Sequence, residues 1–211
     1  MKRVFDVLLG AALLVLAVPL LLPASIVLAA TLGANPFFLQ RRVGLGARQF
    51  TLFKLRTLPT STPTDLDKHG VAALDVPRVC RLVRRLHLDE LPQLINVIVG
   101  SMSLVGPRPE MPNLHQRMDP GFATLRTSIT PGCTGLWQIS TSCQGLIDED
   151  ESFDRFYVTH RNLRLDAWVL THTLRCFVGR PRMITIGEVR GRSGNGRLGV
   201  DASEAGVAAA E

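Results

Sequence analysis

Several signatures that would assign this 211-residue chain to a familiar chemistry are missing from it. It has no Walker A pattern and no Gly-x-Gly-x-x-Gly, so neither common glycine-rich phosphate loop is present. The four cysteines are widely spread and form no Cys-x-x-Cys pair, which argues against a metal site or a disulfide framework and indicates reduced side chains in a cytoplasmic compartment. No block of like charge and no RNA-binding signature accompanies the net charge of +6, so we predict no nucleic-acid partner.

Charged residues are missing from one long segment near the N-terminus. Val7 to Gln40 contains no Asp, Glu, Lys or Arg, and Leu, Val, Ala and Ile dominate it. Such a segment belongs in hydrocarbon, and a basic chain that carries it fits an anionic membrane surface. A cleaved signal peptide would need a shorter apolar core and a small-residue cleavage site. A helix that crosses the bilayer is the stronger alternative.

Prolines in the middle of this segment favour a bend over a simple crossing. Pro19 and Pro23 each remove a backbone donor and clash with the preceding helical turn. The basic pairs Lys2-Arg3 and Arg41-Arg42 flank the segment, and positive charge prefers the cytoplasmic side. Each arm would be about 20 Å long, which is shorter than the hydrocarbon core of about 30 Å. We therefore predict a re-entrant helix-break-helix with its break at Pro19.

Two adjacent acids, Asp89 and Glu90, mark the globular part of the chain. They lie between Arg84-Arg85 and the turn Pro107-Arg108-Pro109. Carboxylates bind a hard cation or attack an electrophile, and arginines grip phosphate, so this segment suits chemistry on a diphosphate. Pro92 predicts that a helix starts just after the acids, where carboxylates are favoured and backbone donors are free. Taken alone, an Asp-Glu pair is more often a solvated helix face.

Periodicity gives a coarse secondary structure for the rest of the chain. Apolar and polar residues alternate over Phe50–Thr57, which predicts a strand with Lys54 and Arg56 on one face. Val79–Val99 and Phe153–Val178 have helical periods. Apolar residues of the second helical segment are expected to rest on the membrane surface: Leu163, Leu165, Trp168, Val169 and Leu170.

Ordered motifs in the chain resemble the bacterial sugar transferase family, the monotopic phosphoglycosyl transferases that start the assembly of cell-surface glycans. The matching residues are Leu88-Asp89-Glu90-Leu91-Pro92-Gln93-Leu94, Asn96-Val97, Met102-Ser103-Leu104-Val105-Gly106-Pro107-Arg108-Pro109, and Pro131-Gly132, Thr134-Gly135 and Gln138. The likeness extends over residues 2–187. The chain departs from the family at Val18-Pro19, where a Ser-Pro pair is usual, at Ser101, where Asp is usual, and at Leu58, where Met is usual. The stretch before Leu88 is also a few residues shorter than the usual pattern.

The resemblance implies transfer of a sugar 1-phosphate from a UDP-sugar to polyprenyl (undecaprenyl) phosphate, with release of UMP. This would be the first membrane step of exopolysaccharide or glycoconjugate synthesis, at the cytoplasmic face of the bacterial inner membrane. The resemblance makes Asp89 the nucleophile of a covalent phosphosugar intermediate, assisted by Glu90, with both acids as ligands of Mg²⁺ or Mn²⁺. The residues implied to bind substrate phosphate are Arg84 and Arg108, with Lys54 and Arg56 as weaker candidates.

The expected fold is α+β. A re-entrant membrane helix-break-helix (residues 1–40) precedes a small, mostly helical cytoplasmic domain with a short β element and membrane-surface amphipathic helices (residues 41–187). A disordered tail is expected over residues 188–211. A catalytically degenerate membrane scaffold and a hydrolase of nucleotide-sugars are the alternative functions. Membrane lipids are expected partners, and homo-oligomerisation is left open.

Overall fold

A computed structural model describes residues 1–63, 66, 70–71, 74–177 and 183–194. Its helices are α1 (Lys2–Leu32), α2 (Arg78–Arg85), α3 (Gln93–Val99), α4 (Pro112–His115), α5 (Pro120–Thr127), α6 (Ser152–His160), α7 (Leu163–Phe177) and α8 (Ile186–Gly194). Its strands are β1 (Phe37–Val43), β2 (Gln49–Leu55), β3 (Ser103–Val105) and β4 (Gly132–Thr134). The predicted mixture of helices with a small amount of sheet is confirmed, and all four cysteines are free.

Helix α1 is one uninterrupted α-helix that contains both Pro19 and Pro23. The predicted helix-break-helix at Pro19 is therefore corrected to a single helix. A proline removes one backbone hydrogen bond and crowds one preceding turn, and here contacts on both sides of the prolines hold the helix together. By length and composition, α1 is the one helix among the described residues that could cross a membrane.

Both halves of α1 pack on the globular domain. Near its start, the Lys2 ammonium is 2.5 Å from Asp166, and buried Asp6 accepts a hydrogen bond of 2.8 Å from the Ser103 hydroxyl. Towards its end, fully buried Leu28 lies in an apolar cluster with Cys80 of α2 and its neighbours. The two ends of the apolar helix therefore contact the same folded unit.

Two small sheets frame the site. β1 and β2 form an antiparallel hairpin that pairs Phe37 with Leu55 at one end and Val43 with Gln49 at the other. β3 and β4 pair in parallel at the centre of the domain. A Cβ added at Gly132 would lie 2.1 Å from the backbone nitrogen of Gly106, so glycine is required where these two segments approach.

The main core contains the apolar stripe that the sequence placed on the membrane surface. Leu165 and Val169 of α7 are fully buried in it, beside Tyr157 of α6. The expectation that these residues rest on the membrane is wrong for Leu165 and Val169, because a helix buries the same stripe against protein as readily as against lipid. Trp168 and Leu170 are partly buried and pack against the same core, and Leu163 is 46% exposed.

A different apolar surface is exposed on α2 and α3. Leu82, Leu86, Ile95 and Val99, which give this region its helical period, are each at least 36% exposed. The buried face of these helices is formed instead by side chains such as Val83. At the C-terminus, α8 extends the described chain past the predicted boundary at residue 187 and buries Val189 in the core. The rest of the predicted tail, residues 195–211, lies outside the described residues.

Candidate active site

The two acids lie on a single turn of 3-10 helix, Leu88–Glu90, between α2 and α3. His87 adopts a left-handed conformation with φ of 54°, which reverses the chain after α2. Pro92 then occupies the N-cap of α3, as the sequence predicted. This local geometry brings the acids to the wall of a cleft of about 1910 Å³.

The cleft has a charged wall and an apolar wall. All six residues predicted to carry chemistry line it: Asp89, Glu90, Lys54, Arg56, Arg84 and Arg108. Its apolar lining includes side chains of α1, namely Leu13, Leu16, Ala17 and Leu20. The same cavity therefore offers positive charge for phosphate and apolar surface for a hydrocarbon chain.

Glu90 joins two cations at the centre of the charged wall. Its Oε1 lies 2.9 Å from the Lys54 ammonium and 2.7 Å from Nη2 of Arg108, and its Oε2 lies 3.4 Å from Nη1 of Arg108. Burial acts to raise the pKa of Glu90, but the charges of Arg108 and Lys54 outweigh it and hold the pKa well below its usual value. In turn, the Glu90 carboxylate raises the pKa of Arg108. Glu90 is therefore a permanently ionised counter-ion that fixes Lys54 and Arg108.

Asp89 has the opposite environment, although it is the adjacent residue. It is 9% exposed, and within the described ranges no donor is hydrogen-bonded to its carboxylate. Burial, reinforced by the negative charge of Glu90, raises the pKa of Asp89 to about 6. Two carboxyl groups whose pKa values are driven apart in this way usually perform different tasks. With this pKa, Asp89 is still mostly ionised at neutral pH, and its carboxylate is less stabilised than that of Glu90.

The other predicted phosphate-binding residues lie in the cleft but outside this ion-pair cluster. Nη1 of Arg84 donates a hydrogen bond of 3.3 Å to the Thr57 hydroxyl. Arg56 follows the end of β2; its Nε donates to the carbonyl of Asn35 at 3.0 Å, and its guanidinium lies 5.4 Å from the centre of the Phe38 ring. The structure thus brings Lys54 and Arg108 together with Glu90 and leaves Arg84 and Arg56 at separate points of the wall.

The turn that carries Arg108 is held by contacts that the sequence did not reveal. Three consecutive carbonyls each accept a hydrogen bond from a different part of the chain: that of Pro107 from the Gly132 nitrogen, that of Arg108 from Nη2 of Arg126, and that of Pro109 from Nη1 of Arg42. The two prolines lack N–H groups, so Arg108 has the one backbone donor among these three residues. The Gly132 nitrogen and two arginine side chains anchor the turn at its carbonyls.

The sequence suggests Arg42 only as a marker of membrane topology, whereas the structure gives it an internal role. It is 8% exposed and lies 3.6 Å from Glu110. Burial lowers the pKa of Arg42 to about 10, against the opposing charge of Glu110. The basic residue just before it, Arg41, is exposed. One sequence signal could have suggested this structural role for Arg42. Pro107 and Pro109 flank Arg108, and the carbonyl oxygens of this turn need hydrogen-bond donors from elsewhere in the chain.

The residues present fit a magnesium ion in part. Among the described residues, no group of three or more His, Cys, Asp and Glu side chains is arranged to hold a metal. Mg²⁺ is nevertheless often bound by one or two carboxylates together with substrate phosphates. Asp89 suits that role because its oxygens are not engaged, whereas Lys54 and Arg108 occupy the oxygens of Glu90. A metal role for Glu90 would require one of these cations to give way.

The departure from the family pattern at Ser101 lies away from the chemistry. The Ser101 hydroxyl accepts a hydrogen bond of 3.0 Å from the Asn96 side chain, in the turn that ends α3. Ser101 is not among the residues that line the cleft. Its effect is therefore on the end of α3, and it does not contact the acids.

Comparison with known proteins gives one consistent set of similarities. The family model described as bacterial sugar transferase matches residues 1–180. The chain is 35% identical to an undecaprenyl-phosphate glucose phosphotransferase of Komagataeibacter xylinus, over 82% of this chain and 35% of that protein. It is 31% identical to a UDP-N-acetylgalactosamine-undecaprenyl-phosphate N-acetylgalactosaminephosphotransferase of Aeromonas hydrophila, over 82% of this chain and 43% of that protein. It is 34% identical to the exopolysaccharide production protein ExoY of Sinorhizobium fredii, over 82% of this chain and 83% of that protein. The chain thus spans less than half of the first two relatives and most of the third.

Proposed function

The chain belongs to the bacterial sugar transferase family, and from this membership we propose that it transfers a sugar 1-phosphate from a UDP-sugar to polyprenyl phosphate and releases UMP. The observation that carries the proposal is the contrast between the two acids of one cleft. Asp89 is unpaired by donors in the described chain and has a pKa of about 6, while Glu90 is locked between Lys54 and Arg108. This arrangement provides a reactive carboxylate next to a fixed pair of phosphate-binding cations.

The reaction proceeds in two displacements at one phosphorus atom. In the first, a carboxylate oxygen of Asp89 attacks the phosphorus that bears the sugar. A bond forms between that oxygen and phosphorus, the bond to the bridging oxygen of the diphosphate breaks, and UMP leaves with the electron pair. No general base is needed, because an acid with a pKa of about 6 is already ionised at neutral pH. In the second, an oxygen of polyprenyl phosphate attacks the same phosphorus and the Asp89 carboxylate leaves.

Lys54 and Arg108 stabilise the negative charge that develops on the phosphate. Their ammonium and guanidinium groups are held within 2.9 Å of Glu90, so they are oriented before substrate arrives. Cations fixed in advance stabilise developing phosphate charge at no cost of reorganisation. A divalent cation bound at Asp89 would neutralise the diphosphate further. Arg84, on the same wall, is available for the second phosphate.

The apolar wall of the cleft supports the proposal of a lipid substrate. Leu13, Leu16 and Leu20 of α1 line the same cavity as the two acids. A prenyl chain that lies along α1 would bring its phosphate to the charged wall without leaving an apolar environment. A cleft built for a water-soluble donor alone would have no use for this surface.

The contacts of α1 support a re-entrant association with the cytoplasmic face of the bacterial inner membrane. Lys2 at its start and Leu28 near its end both pack on the globular domain. Because both ends of α1 contact one domain, both ends would lie on the side of the bilayer where that domain lies. Exposed apolar residues are distributed along α1: Val4, Phe5, Leu8, Val15, Leu16, Val18, Leu20, Leu22, Ile26 and Val27. Leu82 of α2 and Leu86 just after it are exposed as well.

The direct test is release of UMP from a panel of UDP-sugars by the purified chain in vesicles that contain polyprenyl phosphate. One donor is expected to give UMP and a lipid-linked sugar diphosphate, and Asp89→Asn is expected to give neither. Absence of turnover with every donor would contradict the proposal and favour the scaffold alternative. UMP and free sugar phosphate formed without lipid would identify a hydrolase instead.

A further inference from the structure

A buried ion pair lies behind the turn that carries Arg108. Nε of Arg126, on α5, is 2.8 Å from Oδ2 of Asp154, on α6, and the two side chains are only 4% and 2% exposed. Nη2 of Arg126 donates to the carbonyl oxygen of Arg108. One guanidinium therefore joins two helices to the turn that presents a phosphate-binding arginine.

A buried ion pair does not usually stabilise a fold more than apolar residues of the same shape would. The pair therefore calls for a role beyond stability. Among the described residues, no other donor is hydrogen-bonded to the Arg108 carbonyl oxygen, and the flanking prolines cannot donate hydrogen bonds. Removal of the Arg126 donor would leave the middle of the turn unfixed while its two outer carbonyls stay bonded.

We propose that Arg126 and Asp154 are positioning residues that set the direction of the Arg108 guanidinium towards Glu90 and the substrate phosphate. Asp154 orients Arg126, Arg126 holds the Arg108 carbonyl, and the fixed backbone points the Arg108 side chain into the cleft. The proposal rests on the proposed function for its kinetic consequences, but the geometry of Arg108 is a separate observable.

The chemistry of arginine is essential to this role. A guanidinium is planar and offers Nε–H and Nη–H donors in different directions at fixed angles. Arg126 uses one direction for Asp154 and another for the Arg108 carbonyl. A lysine ammonium at the end of a flexible stem cannot hold both acceptors in this geometry.

The chain offers a matched control on α6. Arg155 follows Asp154 directly, and its guanidinium lies 5.2 Å from the centre of the Phe122 ring, as that of Arg126 lies 5.5 Å from the same ring. Arg155 pairs with Glu151 at the surface and is 47% exposed at its side chain. Arg155→Lys therefore repeats the substitution beside the same ring without touching the turn.

The kinetic experiment is a double-mutant cycle on kcat/KM for UMP release, with Arg126→Lys, Arg108→Lys and the double variant. Misplacement of a phosphate-binding group costs up to about 100-fold, so Arg126→Lys is expected to lower kcat/KM about 10- to 100-fold. Because Arg126 acts through Arg108, the double variant should be no more than about threefold worse than Arg108→Lys alone. Arg155→Lys should stay within about twofold of the wild type. Losses that multiply in the double variant, or an Arg126→Lys enzyme with normal kcat/KM, would overturn the proposal.

A second readout does not depend on turnover. The guanidinium NMR signals of Arg108, assigned by their loss in Arg108→Lys, should shift or broaden in Arg126→Lys and stay unchanged in Arg155→Lys. If Arg126→Lys fails to fold, Asp154→Leu replaces it, because leucine has nearly the shape of aspartate but no acceptor oxygen for Arg126. Unchanged Arg108 signals in the folded variant would refute the positioning role. A wild type without UMP release refutes the proposed function alone, and the NMR comparison still decides the positioning role.

Discussion

Asp89→Asn is expected to abolish turnover and, at the same time, to make the folded protein more stable at neutral pH. The pKa of Asp89 is about 6 in the fold and 3.8 in its ordinary state. Because the folded pKa is the higher one, the folded state binds the proton more tightly, and ionisation at pH 7 costs the folded state more than the unfolded one. A difference of about two pKa units corresponds to about 3 kcal/mol of free energy of unfolding. Asparagine has no charge to desolvate and avoids this penalty.

The assay is thermal unfolding in detergent or nanodiscs with a chelator present, at pH 5 and at pH 8. For a chain of this length, about 3 kcal/mol corresponds to a rise in Tm of about 5–10 °C. The difference in Tm between Asp89→Asn and the wild type should be present at pH 8. It should shrink as the pH falls through 6 towards 4, because protonated Asp89 has no charge to desolvate. Asp75→Asn is the control, because the Asp75 side chain is 98% exposed and its loss should leave Tm unchanged.

Two results would refute this reasoning. One is an Asp89→Asn variant that melts at or below the wild type at pH 8. The other is a difference in Tm that widens as the pH falls, because that would require the folded pKa of Asp89 to be depressed. Added Mg²⁺ should narrow the difference in Tm between the variant and the wild type, because the cation favours ionised Asp89. The activity of the wild type should fall about tenfold per pH unit below pH 6, as Asp89 becomes protonated.

Three further outcomes are expected. Glu90→Gln should lower the free energy of unfolding by about 2–4 kcal/mol, because it leaves Lys54 and Arg108 close together without their anion; a variant as stable as wild type by chemical denaturation would contradict the proposed counter-ion role. Activity should be lost on exhaustive chelation and return with Mg²⁺ or Mn²⁺, since diphosphate oxygens are hard ligands; full activity in chelator would remove the metal from the proposal. A single cysteine added ahead of Met1 or substituted for Arg48, without the four native cysteines, should resist an impermeant thiol reagent in intact cells; labelling of the N-terminal cysteine alone would indicate a helix that crosses the membrane.

Local signals predicted the central turn of the site correctly. Asp89 and Glu90 precede Pro92, and the structure places them on one turn just before α3. The preference of proline for a helix start and of carboxylates for the preceding residues acts within a few residues, so sequence was enough to locate it. The sequence could not show that burial separates the pKa values of the two acids, because that depends on which cations fold against each one.

The support of the Arg108 turn was not predictable, because its contacts are distant in sequence. Arg42 is 67 residues from Pro109, and Arg126 is 28 residues from Asp154. No periodicity marks such pairs. The sequence also could not show whether Leu165 and Val169 pack on lipid or in the protein core. An amphipathic pattern has the same spacing in both cases.

Helix α1 forms part of the cleft wall, so the proposed membrane anchor is also part of the interior of the protein. Removal of residues 1–32 would take away Leu13, Leu16 and Leu20 and open one side of the cavity. It would also expose the core residues that Asp6 and Leu28 cover. A chimera that received the N-terminal helix of another protein would therefore have a reshaped cleft. In this molecule, the apolar N-terminal helix and one wall of the cleft are inherited as one unit.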